Sequence, residues 1–208
     1  TGIRTESCMR IGSYNRSNRR LPSPGAILLI ALLFALATAS SAMIFQKDEH
    51  QHISNLHQIE DDYYSYAQDL TIDGLIDGEL ASFSYNFRLN GEVTGTANVF
   101  AYQLSHRGRI GRTLRAFANS ITIDGTIGRS ALLLGNDITI SGPAVIERDA
   151  RLFGNNVRVY GTIKGQTHIS GNSIILDGFI DGDPFIATDG HIELTSTATL
   201  PGNVTYPG

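Results

Sequence analysis

Apolar and polar side chains alternate in short runs along most of the chain, and these runs recur at a fixed interval. A glycine follows each run, at Gly74, Gly91, Gly108, Gly125, Gly142, Gly161 and Gly178. Five of the six intervals are 17 residues, and the remaining one is 19 because Pro143 and Ala144 are inserted in it. Such alternation, rich in Ile and Val, predicts short, half-buried β-strands.

Alignment of the repeats on this glycine gives four columns of apolar residues. The column four residues before it contains Leu70, Phe87, Leu104, Ile121, Ile138, Val157, Ile174 and Ile192. The column two residues before it contains Ile72, Leu89, His106, Ile123, Ile140, Val159, Leu176 and Leu194. The column shortly after it contains Ile76, Val93, Ile110, Ile127, Ile146, Ile163, Ile180 and Leu200. The fourth contains Val99, Ala116, Leu133, Leu152, Ile169, Ile186 and Val204, beside the aromatic series Phe83, Phe100, Phe117 and Phe153.

Strands this short cannot bury a face by themselves, so the repeat indicates stacking. A chain that returns every 17 residues places equivalent strands about 4.8 Å apart and joins their apolar side chains in one core. We predict an all-β, single-stranded parallel β-helix, or solenoid, over residues 67–208, with about seven to eight coils and a length of about 35 Å. The recurring glycines are expected to supply positive φ at the corners.

The two ends of a solenoid expose backbone N–H and C=O groups over a ring of apolar side chains. Here the last repeat keeps its apolar positions in register as far as Val204. Ends with matching strand polarity favour stacking of one subunit on another, which predicts self-assembly. The residues expected to make these contacts are Leu70, Ile72, Ile76, Ile192, Leu194, Leu200 and Val204.

The N-terminal residues have a different composition. Residues 1–25 contain five Arg and one Glu, and residues 26–45 begin with the apolar run AILLIALLFALA. This combination predicts a membrane-inserting helix, either a cleaved signal peptide, which the short run favours, or a signal anchor. Both readings export the following residues across the bacterial cytoplasmic membrane or anchor them on its far side. The residues expected in the membrane include Ala26, Leu29, Leu33 and Phe34, and Met9 is the expected initiator.

Residues 46–66 are polar and include His50, His52 and His57. Histidines at this spacing could bind a divalent ion, but no recognisable ligand motif accompanies them. We therefore expect residues 46–66 to form a solvated linker or cap in front of the solenoid.

Composition excludes several classes of function. Outside residues 1–25 the chain has 11 basic and 19 acidic side chains, a formal charge of −8, which argues against nucleic acid as a partner. Cys8 is the only cysteine, which excludes an internal disulfide and a cysteine-based zinc site.

A basic patch interrupts this acidic body. Its members, three in one column and three nearby, are Arg112, Arg129 and Arg148, and Arg107, Arg109 and Arg115. Three stacked guanidinium groups repel one another unless an anion compensates them. The patch is therefore either a site for an anionic lipid, envelope polymer or envelope protein, or a solvated face paired with acids such as Glu147 and Asp149.

Two enzymatic architectures compete with a structural role. A left-handed β-helix of the hexapeptide acyltransferase type would need a catalytic histidine, for which His106 is the candidate, but its coil is built of hexads and this repeat is not. A carbohydrate-active solenoid would need converging carboxylates, whereas Asp73, Asp124 and Asp177 recur at turn positions. We therefore predict no catalytic site and no cofactor.

Several repeat units carry a family resemblance. They are residues 70–78 (LTIDGLIDG), 121–128 (ITIDGTIG), 157–165 (VRVYGTIKG), 174–182 (IILDGFIDG) and 198–206 (ATLPGNVTY). Over about residues 61–208 the chain resembles the bactofilins, polymer-forming cytoskeletal proteins of bacteria. The resemblance implies a right-handed coil of triangular section, nucleotide-independent filaments formed by end-to-end contact, membrane association and scaffolding of envelope machinery. Most bactofilins are cytoplasmic, whereas a signal or anchor is predicted here.

The pattern and the resemblance together predict a non-enzymatic structural protein that assembles end to end into filaments or a scaffold at the bacterial cell envelope. Its expected partners are other copies of itself and, through residues 26–45, the membrane. The alternative is a monomeric exported binding module that holds an anionic glycan or envelope polymer on the arginine patch.

Overall fold

All regular structure in the described part of the chain is β-strand. The computed structural model describes residues 44–188 and 190–205, which belong to the second of two compact units, Ser41–Gly208. In chain order the strands are β1 (Ile44–Ile53), β2 (Gln58–Ile59), β3 (Tyr63–Ile72), β4 (Leu75–Ile76), β5 (Leu80–Leu89), β6 (Glu92–Val93), β7 (Ala97–His106), β8 (Arg109–Ile110), β9 (Leu114–Ile123), β10 (Thr126–Ile127), β11 (Ala131–Ile140), β12 (Val145–Ile146), β13 (Ala150–Val159), β14 (Thr162–Ile163), β15 (Thr167–Ser170), β16 (Ser173–Leu176), β17 (Phe179–Ile180), β18 (Phe185–Ala187) and β19 (His191–Leu194).

The predicted membrane residues Ala26, Leu29, Leu33 and Phe34 lie outside the described residues. Within residues 44–188 and 190–205, no helix is long and apolar enough to span a bilayer.

The strand pairing is that of a parallel solenoid. One sheet has eleven strands, and the other consists of eight two-residue strands in the order β17-β14-β12-β10-β8-β6-β4-β2. The eight strands of the second sheet mark eight successive coils, since each pairs only with the equivalent strand one coil away. The predicted all-β parallel solenoid of about eight coils is therefore confirmed.

The register confirms the predicted period. Leu114 of β9 pairs with Ala131 of β11, 17 positions along the chain. Ala131 in turn pairs with Ala150 of β13, 19 positions along. The two additional residues lie in the turn before β12, where Pro143 and Ala144 are found.

One corner of the coil accepts extra residues three times. Most coils cross it in two residues, but the chain uses four at 54–57, 141–144 and 195–198. Each of these is a β-turn, because the amide of its fourth residue donates to the carbonyl of its first. These bonds join His57 to Ser54 at 2.9 Å, Ala144 to Ser141 at 3.0 Å and Ala198 to Thr195 at 3.2 Å.

Each ten-residue strand bends near its middle. In β3 every second residue is buried up to Ala67, and the alternation resumes one step out of phase at Leu70. Pairing with β5 skips Gln68 at the same point. Since an unbent strand keeps one parity along its length, the chain turns a corner here. The two halves of the long strand thus form the first and second sides of a coil, and the two-residue strand forms its third side.

The predicted columns form the core. In the coils from β3 to β18, no member of the four columns is more than 3% exposed. Full burial of one such aliphatic side chain contributes about 1.5–3 kcal/mol, so the columns supply most of the favourable free energy of each coil.

The reason predicted for the recurring glycines is wrong. Among the described glycines only Gly182 has a positive φ, 107°. A Cβ at Gly108 would instead lie 2.6 Å from the carbonyl oxygen of Asn90 and closer still to that of Gly91. Six of the seven recurring glycines, all except Gly142, are therefore required because the backbones of successive coils approach each other too closely for any side chain.

The polar segment 46–66 is a coil of the solenoid and not a linker. β1 pairs with β3 from Ile44 to Ile53. Gln51, Tyr63 and Ser65 occupy inward positions that are mostly aliphatic in later coils. The Tyr63 and Ser65 hydroxyls both donate to Gln51 Oε1, at 3.0 and 2.5 Å, whereas Gln51 Nε2 is buried with no partner among the described residues.

Because of this coil, the solenoid includes residues from Ile44 onward, whereas the sequence predicts that it begins at residue 67. Leu70, Ile72 and Ile76 are each 0% exposed because β1 and β2 pack over them. They are core residues and do not lie at the first coil.

The C-terminal residues of the predicted contact set do lie in the last coil. Ile192 and Leu200 are half-buried against the core. Leu194 is 54% exposed and Val204 is 42% exposed.

Replacing Gly108 by alanine is expected to lower the free energy of unfolding by about 1–3 kcal/mol, because the methyl group would overlap the backbone of the preceding coil. Thermal unfolding followed by circular dichroism measures this loss. Gly142→Ala is the matched control: a Cβ there meets nothing within 4 Å, so stability should be unchanged or slightly higher. Equal destabilisation by both substitutions would contradict the close-approach explanation.

Candidate functional site

The column of three arginines is stacked as the repeat predicts. The amide of Arg129 donates to the carbonyl of Arg112 at 3.0 Å, and the amide of Arg148 donates to that of Arg129 at 3.1 Å. All three residues are exposed and lie in the turns that precede β9, β11 and β13. Equivalent positions in neighbouring coils are only about 4.8 Å apart, so their positive charges reinforce one another.

The other predicted members of the patch have partners. Arg107 lies 3.6 Å from a carboxylate oxygen of Asp124, and Arg109 lies 3.3 Å from one of Glu92. Arg115 donates to Asn98 Oδ1 at 3.3 Å. Arg109 lies in β8 on the third side of the coil and Arg107 lies in the turn before it, so they belong to a different surface from Arg112.

The arginine column is not compensated by the acids beside it. Among the described residues, no carboxylate lies within 4.0 Å of the guanidinium groups of Arg112, Arg129 or Arg148. Glu147 pairs with Lys164 at 2.8 Å, and Asp149 Oδ1 accepts a hydrogen bond from the Gln166 amide at 3.0 Å. The expected pairing with Glu147 and Asp149 is therefore not found.

A row of stacked aromatic rings runs along the first side. The ring centroids of Phe83 and Phe100 are 4.8 Å apart and those of Phe100 and Phe117 are 4.9 Å apart, with interplanar angles of 6° and 5°. These rings are 52%, 40% and 37% exposed, respectively. Because ring faces cover one another, the row presents mainly ring edges to its surroundings.

A second aromatic pair faces this row across a groove. Tyr85 and Tyr102 stack at 4.8 Å on the corner between the first and second sides. The groove has a volume of about 860 Å³, and small residues such as Ala67, Ser84 and Ala101 lie between the two rows. The phenylalanine series is evident from the sequence. The groove is not, because it forms where the long strand bends, and an alignment of the repeats does not show that bend.

The acidic turn residues connect coils to each other. Asp73 accepts hydrogen bonds from Asn90 Nδ2 and from His52 Nε2, both at 2.7 Å, and these lower the pKa of its carboxyl. Asp177 accepts from the Thr195 and Thr197 hydroxyls, which lower its pKa in the same way. A carboxyl with a lowered pKa is a poor general acid, so these contacts indicate a structural role.

The histidines of the first coil also bridge coils. His50 Nδ1 lies 2.8 Å from Asp69 Oδ2, and His52 pairs with Asp73. Among residues 44–188 and 190–205, no three His, Cys, Asp or Glu side chains are grouped to hold a metal ion.

His106 lies in the core column between Leu89 and Ile123. It is 0% exposed, and neither ring nitrogen has a hydrogen-bond partner. Burial lowers the pKa of its imidazole to about 4, so the ring is neutral at physiological pH. A histidine in this position does not reach a substrate and cannot act as the catalytic base of an acyltransferase.

Comparison with known proteins adds no relative. Neither a protein-family model, nor a curated protein, nor a solved structure matches this chain. The likeness to bactofilins therefore stays a prediction from the repeat units.

The buried imidazole predicts acid sensitivity. Unfolded His106 binds a proton below about pH 6.5, whereas the folded ring does so only below about pH 4, so stability falls as the pH falls through this window. The loss amounts to about 3 kcal/mol by pH 4. His106→Leu should unfold at a higher temperature at pH 7 and lose less stability on acidification.

Circular-dichroism melting at pH 7 and pH 5 measures both effects. His57→Gln, at an exposed position, should keep the acid sensitivity of the unmodified chain. An unchanged pH dependence in His106→Leu would show that the buried ring is not its source.

Proposed function

We propose that this chain is a non-enzymatic structural protein that assembles end to end into filaments or a scaffold at the bacterial cell envelope. The last coil is the observation that supports this most directly. It continues the core columns yet leaves Leu194 54% exposed and Val204 42% exposed. An apolar surface in register with the core is suited to being covered by a further coil.

The backbone at both ends supports the same proposal. Within the described residues, β1 pairs only with β3 and β2 only with β4, and at the other end β19 pairs only with β16. All these strands run in parallel, so the first coil of one copy can follow the last coil of another with unchanged polarity. A head-to-tail contact between two different surfaces does not close and yields a filament.

The proposed location of the protein and the proposed right-handedness of its coil are supported by the sequence. The predicted membrane segment 26–45 supports attachment to, or export across, the cytoplasmic membrane. The resemblance to bactofilins supports a right-handed coil and a scaffolding role.

A charge in the last coil should prevent assembly without unfolding the protein. In Leu194→Asp the carboxylate would be buried without a partner between two copies, which is strongly unfavourable. Electron microscopy should show filaments for the unmodified chain and short particles for the variant, with the same β-type circular dichroism. Phe153→Asp is the control, since this residue lies on the lateral surface and is 37% exposed. Filaments of unchanged length in Leu194→Asp would exclude the last coil as the contact.

A second candidate function is supported by the uncompensated arginine column. Arg112, Arg129 and Arg148 lack carboxylate partners among the described residues, which suits a monomeric module that binds an anionic glycan or envelope polymer.

If this second function applies, the triple variant Arg112→Gln, Arg129→Gln, Arg148→Gln should elute from a sulfated-polysaccharide column at lower salt than the unmodified chain. The matched control is Arg88→Gln, Arg107→Gln, Arg109→Gln, which removes equal charge from other surfaces and should change elution less. Arg88 is exposed on the second side of the coil, in β5. Equal shifts for the two triple variants would indicate non-specific ion exchange.

A further inference from the structure

The arginine column and the aromatic row lie beside each other on one side of the solenoid. In the coil of β9, Arg112 stands in the turn that leads into the first side, and Arg115 and Phe117 are its two exposed positions. Arg151 and Phe153 occupy the same two positions in the coil of β13. We name the first side of the coils from β5 to β13, together with the turn that precedes it in each coil, the arginine–aromatic face.

Charge on this face is mainly positive. Its five coil segments, residues 78–84, 95–101, 112–118, 129–135 and 148–154, contain five Arg and two acids, Glu79 and Asp149. Of these acids, Asp149 uses Oδ1 to accept a hydrogen bond from the Gln166 backbone amide of the next coil. The ion-paired acids Asp124, Glu92 and Glu147 lie at or beside the third side. Five of the seven described arginines that have no ion pair therefore lie on this face.

A hollow of about 270 Å³ lies on the face between Arg115 and Arg151. Thr113 and Ser130 provide hydroxyl groups at its border, and Leu132 lies between the two arginines. Asp149 also lines the hollow, and its Oδ1 accepts a hydrogen bond from the Gln166 backbone amide. Guanidinium and hydroxyl donors around a small hollow suit the oxygens of a phosphodiester.

The aromatic row distinguishes among anionic partners. An anionic glycan would account for the arginines, but sugar rings pack on aromatic faces, and here the inner faces of Phe83, Phe100 and Phe117 cover one another. A lipid bilayer accounts for both features, because arginines bind headgroup phosphates while aromatic side chains enter the boundary between headgroups and acyl chains.

We propose that the arginine–aromatic face docks flat on an anionic lipid bilayer, with the solenoid axis parallel to the membrane. The arginines contact headgroup phosphates, and the phenylalanine row enters the interface beside them. The inference rests on the proposed location at the membrane and adds a contact surface distinct from residues 26–45. It does not depend on filament formation, because the face is lateral and the end coils are not part of it.

The test uses the absence of tryptophan from the sequence. Phe100→Trp in the full chain places a single indole on the face, where the native ring is 40% exposed. Phe179→Trp is the matched control on the third side, where the ring is 39% exposed. With vesicles of equal parts phosphatidylcholine and phosphatidylglycerol, emission from position 100 should shift to shorter wavelength and emission from position 179 should not. Vesicles of phosphatidylcholine alone should give a much smaller shift.

Removal of charge provides the second arm. In the Phe100→Trp background, replacing Arg112, Arg129 and Arg148 by Gln should raise the lipid concentration needed for half the shift by on the order of 100-fold. The Arg88, Arg107 and Arg109 triple control should change it far less. Three results would overturn the proposal. They are equal emission shifts at positions 100 and 179, no shift at position 100, and a shift that soluble dextran sulfate produces but vesicles do not. If the chain forms filaments but its emission at position 100 does not shift with vesicles, membrane docking is refuted and the proposed end-to-end assembly is not.

Discussion

The parallel backbone ladder between coils is the interaction on which the rest of this molecule depends. It holds equivalent residues of successive coils about 4.8 Å apart, so each position in the repeat meets its own counterpart above and below. A contact between equivalent side chains that stabilises one pair of coils therefore stabilises every pair in which it recurs, and a repulsive contact recurs in the same way. All the recurring glycines except Gly142 follow directly from this spacing, because a carbonyl of the preceding coil occupies the volume that a Cβ at a position such as Gly108 would need.

Stacking of like on like has different consequences for different side chains. Aliphatic residues gain a continuous dry core, and the acids of the turns gain hydrogen bonds from the next coil, as Asp77 does from Thr94 at 2.8 Å. Aromatic rings stack face to face on the outside. The column of Arg112, Arg129 and Arg148 gains only repulsion, because no carboxylate among the described residues pairs with it. The fold itself does not stabilise this stack, and this is the reason that we propose a partner for its surface.

The sequence predicted the core well because alternation and period are properties of single columns. It missed the first coil because aliphatic residues are replaced by Gln51 in that coil and by Tyr63 and Ser65 at the start of the next, and the hydrogen bonds between them exist only in three dimensions. It recognised Phe83, Phe100 and Phe117 as a series but not their groove, since the groove forms where the long strand bends. The arginine column was evident from spacing, whereas the separation of Arg107 and Arg109 from it required the ion pairs on the third side.

The four-residue turn at 141–144 shows where this architecture has freedom. Two extra residues enter there, and β12 nonetheless pairs with β10 and β14 in register. Within a strand an added residue would invert the inward and outward positions of everything downstream within that coil. Two-residue extensions recur at this one corner of the coil, while a single extra residue enters at another corner, between β18 and β19. The corner at 141–144 is therefore the natural place to insert a label or a foreign loop without disturbing either end of the solenoid.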